Sequence, residues 1–259
     1  MSLRFAANLN FLFTELPLLE RFEAAAGAGF EAVEIINPYE APARDIAQRL
    51  KASGLTLALF NIAPGNSAAG ERGLTALAGR ERDFEAALRT ALQYADVTGC
   101  RQIHLLAGLV HQGAERATFV ANLRKAARLA APSGVTVLIE PINRRDIPGY
   151  FLNKTHEARA VIHEVGESNL GLQLDLYHRQ VEEGDIAMAI REFGPLARHY
   201  QIANPPDRGE PDEGELNCRT LFRLIEESGF AGFVGCEYRP RRGTVEGLKW
   251  ATACGVALG

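Results

Sequence analysis

Apolar residues along the chain fall into two alternating patterns. Short runs with little polar interruption, at 3–9, 30–36, 55–61, 102–107, 135–140, 170–175, 197–203 and 232–237, predict strands covered on both faces. Between them the apolar positions recur at helical spacing, which predicts helices over 16–28, 43–53, 80–97, 116–131, 154–165, 186–193 and 218–228, with a last helical segment over 245–253. Glycines punctuate the same count. Gly29, Gly54, Gly99, Gly134, Gly166, Gly194 and Gly229 each stand between a helix and the next strand, where glycine is favoured because it reaches the left-handed conformation that closes a last helical turn. Strands that alternate with helices imply a parallel sheet, and eight such units are the number that closes into an α/β (βα)8 barrel. An open doubly wound sheet would instead carry a glycine loop between its first strand and helix. Gly27-Ala28-Gly29 follows a helix and precedes a strand, the wrong order for a dinucleotide fingerprint. One connection breaks the rhythm: 62–79 has neither pattern, and a loop of that length in a compact domain is commonly a lid or binding loop. No linker or low-complexity tract interrupts the chain, so 1–259 reads as one domain.

Composition narrows the class. At 259 residues, 47% hydrophobic and 23% charged, the chain has an ordinary globular balance and the size of a single α/β barrel. A net charge of −4 with no basic block gives no electrostatic footprint for nucleic acid. Cys100, Cys218, Cys236 and Cys254 are scattered and form no C-x-x-C pair, which suits inert thiols in a reducing compartment. The N-terminus carries only a short apolar patch at 9–13, and no stretch approaches the roughly 18 apolar residues of a membrane span. The expectation is a cytoplasmic protein without a membrane or nucleic-acid partner. Homo-oligomerisation is left open.

If the barrel closes, the residues ending its strands converge on one rim, where active sites of this architecture are built. They are Asn8, Glu34, Asn61, His104, Glu140, Asp175, Gln201 and Glu237. All eight are polar, which a purely structural role does not explain. The run Val135-Thr136-Val137-Leu138-Ile139-Glu140-Pro141 shows the logic: a buried strand delivers a carboxylate, and Pro141 stops the ladder because it has no N–H to donate. Glu140, Asp175, Gln201 and Glu237 come from consecutive strands, and their oxygens suit one hard divalent cation, Mg²⁺ or Mn²⁺. The absence of His and Cys from that set argues against zinc. The bland alternative pairs Asp175 and Glu237 with Arg144, Arg179 or Arg239 as rim salt bridges.

Five segments in order, Ala69-Gly70-Glu71-Arg72-Gly73, Ile139-Glu140-Pro141-Ile142-Asn143, Gln173-Leu174-Asp175-Leu176-Tyr177-His178, Gln201-Ile202-Ala203 with Arg208-Gly209-Glu210-Pro211, and Gly235-Cys236-Glu237-Tyr238, resemble the hydroxypyruvate isomerases over essentially the whole chain. The resemblance implies a xylose isomerase-like TIM barrel. It also implies that Glu140 and Glu237 are the proton donor and acceptor, with Glu140, Asp175, Gln201 and Glu237 holding the metal. Phe60-Asn61, Ala63-Pro64-Gly65 and Glu237-Tyr238-Arg239-Pro240-Arg241 are similar to the related 2-oxo-tetronate isomerases. Two places depart from the family: Asn66-Ser67 stands where members carry Asp-Trp, and Asn204-Pro205 where they carry Asp-Asn or Gly-Val. Both lie in loops expected to shape the substrate pocket.

The constellation supports this chemistry without the family. Moving a carbonyl to the adjacent carbon requires taking a proton from one carbon, holding the enediolate, and returning a proton to its neighbour. Two carboxylates from strands far apart around the ring can flank the substrate, and a cation stabilises the oxyanion. For the substrate, a small hydroxy-keto acid, the candidate contacts are His178, Arg208, Glu71, Arg72, His104 and Asn61. Arg208 or Arg72 would grip the carboxylate bidentately. Glu71 has a second reading, pairing with an arginine to order the loop. His178 reads as a loop histidine, and His104 equally well as a core one. The run Arg239, Arg241, Arg242 reads as a solvated face. Of the two acids, the four-carbon 2-oxo-tetronate is preferred over three-carbon hydroxypyruvate. Alternatives are a ketose 3-epimerase acting on neutral sugars, a non-catalytic sugar-acid-binding barrel, and a DNA-repair endonuclease. The last would need a His-rich multi-zinc cluster and a basic face, and neither is evident.

Overall fold

A computed structural model describes residues 2–258. Eight parallel strands close into a barrel in chain order: β1 Arg4–Asn8, β2 Ala32–Ile35, β3 Thr56–Asn61, β4 Gln102–His104, β5 Thr136–Ile139, β6 Leu170–Asp175, β7 Ala197–Ile202 and β8 Phe233–Cys236. Closure is made by β1 against β8, with Phe5 opposite Val234 and Ala7 opposite Cys236. The outer layer is α1 Arg21–Gly27, α2 Ala43–Ser53, α3 Glu81–Thr98, α4 Arg116–Ala130, α5 Thr155–Val165, α6 Leu176–Glu182, α7 Ile186–Phe193, α8 Cys218–Glu227, α9 Thr244–Gly247 and α10 Trp250–Cys254. The unalternating strands predicted from the sequence are buried on both faces: every residue of β2 and β6 is buried. All four cysteines are free and buried. Among the described residues no helix is long and apolar enough to cross a membrane.

Four expectations need correction. The helix expected over 16–28 begins only at Arg21, after a single 3-10 turn over Leu18–Glu20. The segment expected over 245–253 is two short helices, α9 and α10. Gly194 does not close a helix in the left-handed region; its φ is −49° and it continues into a 3-10 turn, Gly194–Leu196. Gly54, by contrast, closes α2 at φ 72° as expected. The fourth is α6, which apolar periodicity did not reveal because it follows β6 with no loop between. Asp175 creates it: its side chain accepts the backbone N–H of Tyr177 at 2.7 Å and of His178 at 3.2 Å, capping the first turn. His178 therefore sits in the buried first turn of a helix rather than in a loop.

The long connection is anchored for half its length. Backbone bonds run from Thr75 N to Leu106 O, from Ala76 N to Ala107 O and from Ala78 N to Gly113 O. Asn122 donates from α4 to Thr75 O at 2.9 Å. Leu74, Ala76 and Leu77 are consequently core residues, and only the stretch 64–72 remains as a tip over the barrel mouth. Beyond β8, the fully buried Trp250 packs edge-on to Phe5 and donates its indole N–H to Tyr238 Oη at 2.8 Å. That fixes the residue next to Glu237.

Candidate active site

At the C-terminal mouth a cavity of about 390 Å³ is lined by strand ends and by the loops that follow them. Asn61, Glu71, Arg72, His104, Glu140, His178, Arg208 and Glu237 all line it. Gln201 and Asp175 lie buried just beneath. Glu140 and Glu237 fall one residue past β5 and β8, so each carboxylate leaves the ladder as its strand ends.

The buried acids crowd one another. Burial, then the charges of Asp175 and Glu237, push the Glu140 carboxyl well above its ordinary range. Burial also raises Asp175, opposed by Arg208 and by the two N–H groups it caps. Glu237 is pushed up to about 8, again by burial first, with Arg208 resisting and Glu34 and Asp175 adding to it. Desolvation of this kind is the usual way a carboxyl is brought toward neutral pH. Among imidazoles the same burial acts in reverse. It takes His104 down to about 3 and His178 well below its usual value, keeping both neutral.

Arg208 is the buried cation of the site. It bonds Glu237 Oε1, reaches Asp146 Oδ2 at 3.3 Å and stands 3.7 Å from Asp175 Oδ2. Its guanidinium carbon lies 4.8 Å from the ring centres of both Phe11 and Tyr177. Its backbone adopts φ 57° in the short turn closed by Asn204 and Gly209, and Arg208 O accepts from Arg239 N at 2.7 Å. The salt-bridge alternative is half realised: Asp175 and Glu237 do meet an arginine, but Arg208. Arg144 pairs with Glu182 and Arg179 with Glu183. Nor is Arg241 simply solvated, since it ties Glu210 and Asp212 together.

His104 and His178 flank Glu140, at 3.5 Å and 3.9 Å from its two oxygens. His178 Nε2 is also 3.7 Å from Asp175 Oδ2, while its Nδ1 faces the Asn143 amide at 2.6 Å. Glu140, Asp175 and His178 could offer ligand atoms that lie within 4.8 Å of one another. Imidazole is thus within reach of the carboxylates, contrary to the argument that the set holds no His. Gln201 Oε1 accepts from Gln173 Nε2 at 2.6 Å, and its own NH2 donates to Glu34 Oε1 at 3.0 Å and to Glu237 Oε2. An amide's two ends have nearly the same shape, so a turned Gln201 would present its oxygen. The residues fit a hard divalent cation: three carboxyls converge in low dielectric, and one arginine does not balance them.

At the lip, Glu71 accepts from Asn66 N at 2.6 Å and from Arg80 Nη1 at 2.5 Å, and these bonds, Arg80 foremost, hold its carboxyl below the usual range. Arg72 is exposed and donates to the carbonyls of Glu71 and Ser67. Asn61 is tied through its backbone oxygen to Tyr39 Oη. Sequence reasoning overlooked roles for Asn143, Asp146, Gln173 and His199. The strand period of two places Gln173 on the face of Asp175 and His199 on the face of Gln201, a signal that would have found both.

A family model described as xylose isomerase-like TIM barrel matches residues 22–254. The chain belongs to that family. It is 53% identical over 251 residues to the 2-oxo-tetronate isomerase of Cupriavidus necator, an alignment covering 95% of this chain and 96% of the relative. It is 42% identical over 252 residues to the hydroxypyruvate isomerase of Escherichia coli, covering 96% and 98%. A crystal structure from Brucella melitensis described as an AP endonuclease of family 2 superposes with a TM-score of 0.94 at 47% identity, over 96% of this chain and 98% of that one. A D-psicose 3-epimerase of Clostridium cellulolyticum, at 19% identity and a TM-score of 0.77 over 95% and 89%, shares the fold. With relatives of these names over nearly its full length, the chain is an enzyme of the isomerase type.

Proposed function

We propose that the chain isomerises a short hydroxy-keto acid, 2-oxo-tetronate in preference to hydroxypyruvate, through an enediolate and with one divalent cation. The observation that carries this reading is the meeting of Glu140, Glu237 and Arg208 in one buried cavity. In the four-carbon acid, one glutamate removes the proton from carbon 3 and the other returns a proton to carbon 2. The hydroxyl proton moves in the same sense, from the oxygen on carbon 3 to the oxygen on carbon 2, so the carbonyl shifts from carbon 2 to carbon 3 and atoms balance. A carboxyl held near neutral pKa serves either step, because it exists in both forms at working pH. Neutral His104 and His178 beside Glu140 can donate to substrate oxygens without adding charge. Arg208, gripped by aromatic faces, meets the substrate carboxylate. A bound Mg²⁺ or Mn²⁺ would be held by Glu140, Asp175, Gln201 and Glu237, and would stabilise negative charge as it develops on the substrate oxygens. His178 is the other side chain within reach of that set.

Several observations weigh against other readings. A neutral ketose would bring no carboxylate of its own to the Arg208 guanidinium that lines the cavity, and the epimerase likeness is one of fold. An endonuclease would need basic surface for phosphates, whereas the net charge is −4 and the arginine of the cavity is buried. The identity of 53% to a 2-oxo-tetronate isomerase favours the longer acid. Ser67, which lines the cavity, leaves room at its lip. The test is kcat/KM for the two acids and for neutral three- to six-carbon ketoses, with solvent-deuterium incorporation followed by NMR. A preference for hydroxypyruvate overturns the substrate choice. Ketoses as best substrates overturn the acid reading.

A further inference from the structure

Glu34 is fully buried, does not line the cavity, and has no part in the proton transfers above. It nevertheless crosses the barrel interior from β2 to β7. Its Oε2 meets His199 Nε2 at 2.6 Å, and its Oε1 accepts from Asn8 Nδ2 and Gln201 Nε2, both at 3.0 Å. The same two amide groups also donate to Glu237 Oε2, Asn8 at 3.3 Å and Gln201 at closer range. Two carboxylates are thus bridged by two shared NH2 groups. Asn8 cannot easily turn, because its Oδ1 already accepts from Asn10 N at 2.9 Å.

The crossing needs space, and β8 provides it. Gly235 has no side chain, and a Cβ there would fall well inside van der Waals contact of both Glu34 carboxylate oxygens. Its backbone lies outside the left-handed region, so glycine is required at this position for close approach and not for conformation.

We infer that Glu34, seated by His199 and admitted by Gly235, is a positioning residue for Glu237. Through Asn8, and through Gln201 for as long as its NH2 rather than its oxygen faces the two carboxylates, it holds Glu237 Oε2 down in the barrel, which leaves Oε1 turned up toward Arg208 and the cavity. A carboxylate that transfers protons to carbon must present one oxygen in a fixed direction, and small misplacement there is costly in rate. Removing Glu34 takes away the acceptor that Asn8 and Gln201 share with Glu237, so the hold on Glu237 loosens while Arg208 and His178 stay in place to meet the substrate.

The inference rests on the reading of Glu237 as a proton carrier, and the experiment separates the two. Glu237→Gln is measured first with 2-oxo-tetronate: turnover within tenfold of wild type overturns the reading of Glu237 and this inference with it. With that variant inactive, Glu34→Gln is expected to lower kcat about 10- to 100-fold, leave KM within about threefold, and shift a limb of the kcat–pH profile by half a unit or more. Gly235→Ala, which keeps Glu34 but displaces its carboxylate, is expected to reproduce that pattern. The double variant is expected to be no more than about threefold worse than either single one. His199→Ala supplies a second route should Glu34→Gln fail to fold, with the same split of kcat against KM. Unchanged kcat and pH profile in Glu34→Gln overturn the proposal. So does a loss of kcat that only tracks a lowered melting temperature, or independent, multiplying losses in the double variant.

Discussion

Arg208 bonds Glu237 twice, through Nη2 to the carboxylate Oε1 and through Nε to the backbone oxygen at 3.3 Å. The first bond opposes the upward drift of Glu237 toward about 8. The second fixes the guanidinium plane against the strand end. Arg208→Ala therefore removes a substrate contact and a restraint on the acid–base group together. We expect kcat/KM for a keto acid to fall about ten- to a hundredfold, matching a charge-assisted bond of roughly 1.5 to 3 kcal/mol. We also expect the limb of the rate profile that belongs to Glu237 to move to higher pH. Measuring kcat/KM from pH 6 to 9.5 checks both; activity unchanged with a keto acid would leave Arg208 a structural residue.

Charge neutralisation at Glu140 and Glu237 separates catalysis from folding. Glutamine keeps the size of each side chain and loses its basicity. Each carboxyl is raised by burial, so its charged form costs the fold something that the amide does not. Glu140→Gln and Glu237→Gln should abolish turnover while the melting temperature of the metal-free protein at pH 8 stays level or rises. Circular dichroism melts beside kinetic assays decide this. Either variant turning over within tenfold of wild type removes that residue from the mechanism.

Metal-free protein should respond to pH with a definite sign. Glu237 has its pKa raised from 4.5 to about 8, and Asp175 and Glu140 move the same way. The folded state therefore binds protons more tightly than the unfolded one. That contribution to stability is present in full below about 4.5 and is lost by the time pH has risen through about 8. At about 1.4 kcal/mol per pKa unit and about 2–4 °C per kcal/mol for a chain of this size, the loss is readily measured. After exhaustive chelation the melting temperature should fall between pH 5 and 8.5. Mn²⁺ should flatten that fall, and Glu237→Gln should lessen it without metal. A melting temperature that neither falls over this range nor responds to Mn²⁺ would sink the metal assignment, as would full isomerase activity without metal.

The barrel was legible because its signals are local and repeated. An unalternating strand such as 135–140 can only be covered on both faces, and Glu140 at its end has only the rim to occupy. Asp175 and Glu237 followed by the same rule. What stayed hidden depends on contacts across the ring. Glu34 on β2 stands three strands round the barrel from His199 on β7 yet bonds it at 2.6 Å, a pairing 165 residues apart that no periodicity encodes. Helix α6 was hidden for a different reason: Asp175 is both strand end and helix cap, so there was no loop to mark its start. The anchoring of 73–79 was hidden too, since it rests mostly on backbone bonds to 106–113, which leave no periodicity in the side chains.

Glu71 offers the last prediction, because its two sequence readings give opposite results. It lines the cavity, yet its oxygens are already engaged by Asn66 N and Arg80. If its role is to clasp the tip 64–72 against the start of α3, then either partner matters equally. Glu71→Gln and Arg80→Ala should each raise KM about three- to tenfold with kcat within about twofold, since a looser tip closes less often over the substrate. Both should also speed hydrogen exchange at the amides of 66–71. The pair is part-buried at the lip and spans only the tip and the start of α3, so its loss loosens the tip rather than the barrel and melting temperatures should move by no more than about 2 °C. If Glu71 instead touches the substrate, Glu71→Gln will raise KM while Arg80→Ala leaves it near wild type. That result would return Glu71 to the binding residues and remove the clasp.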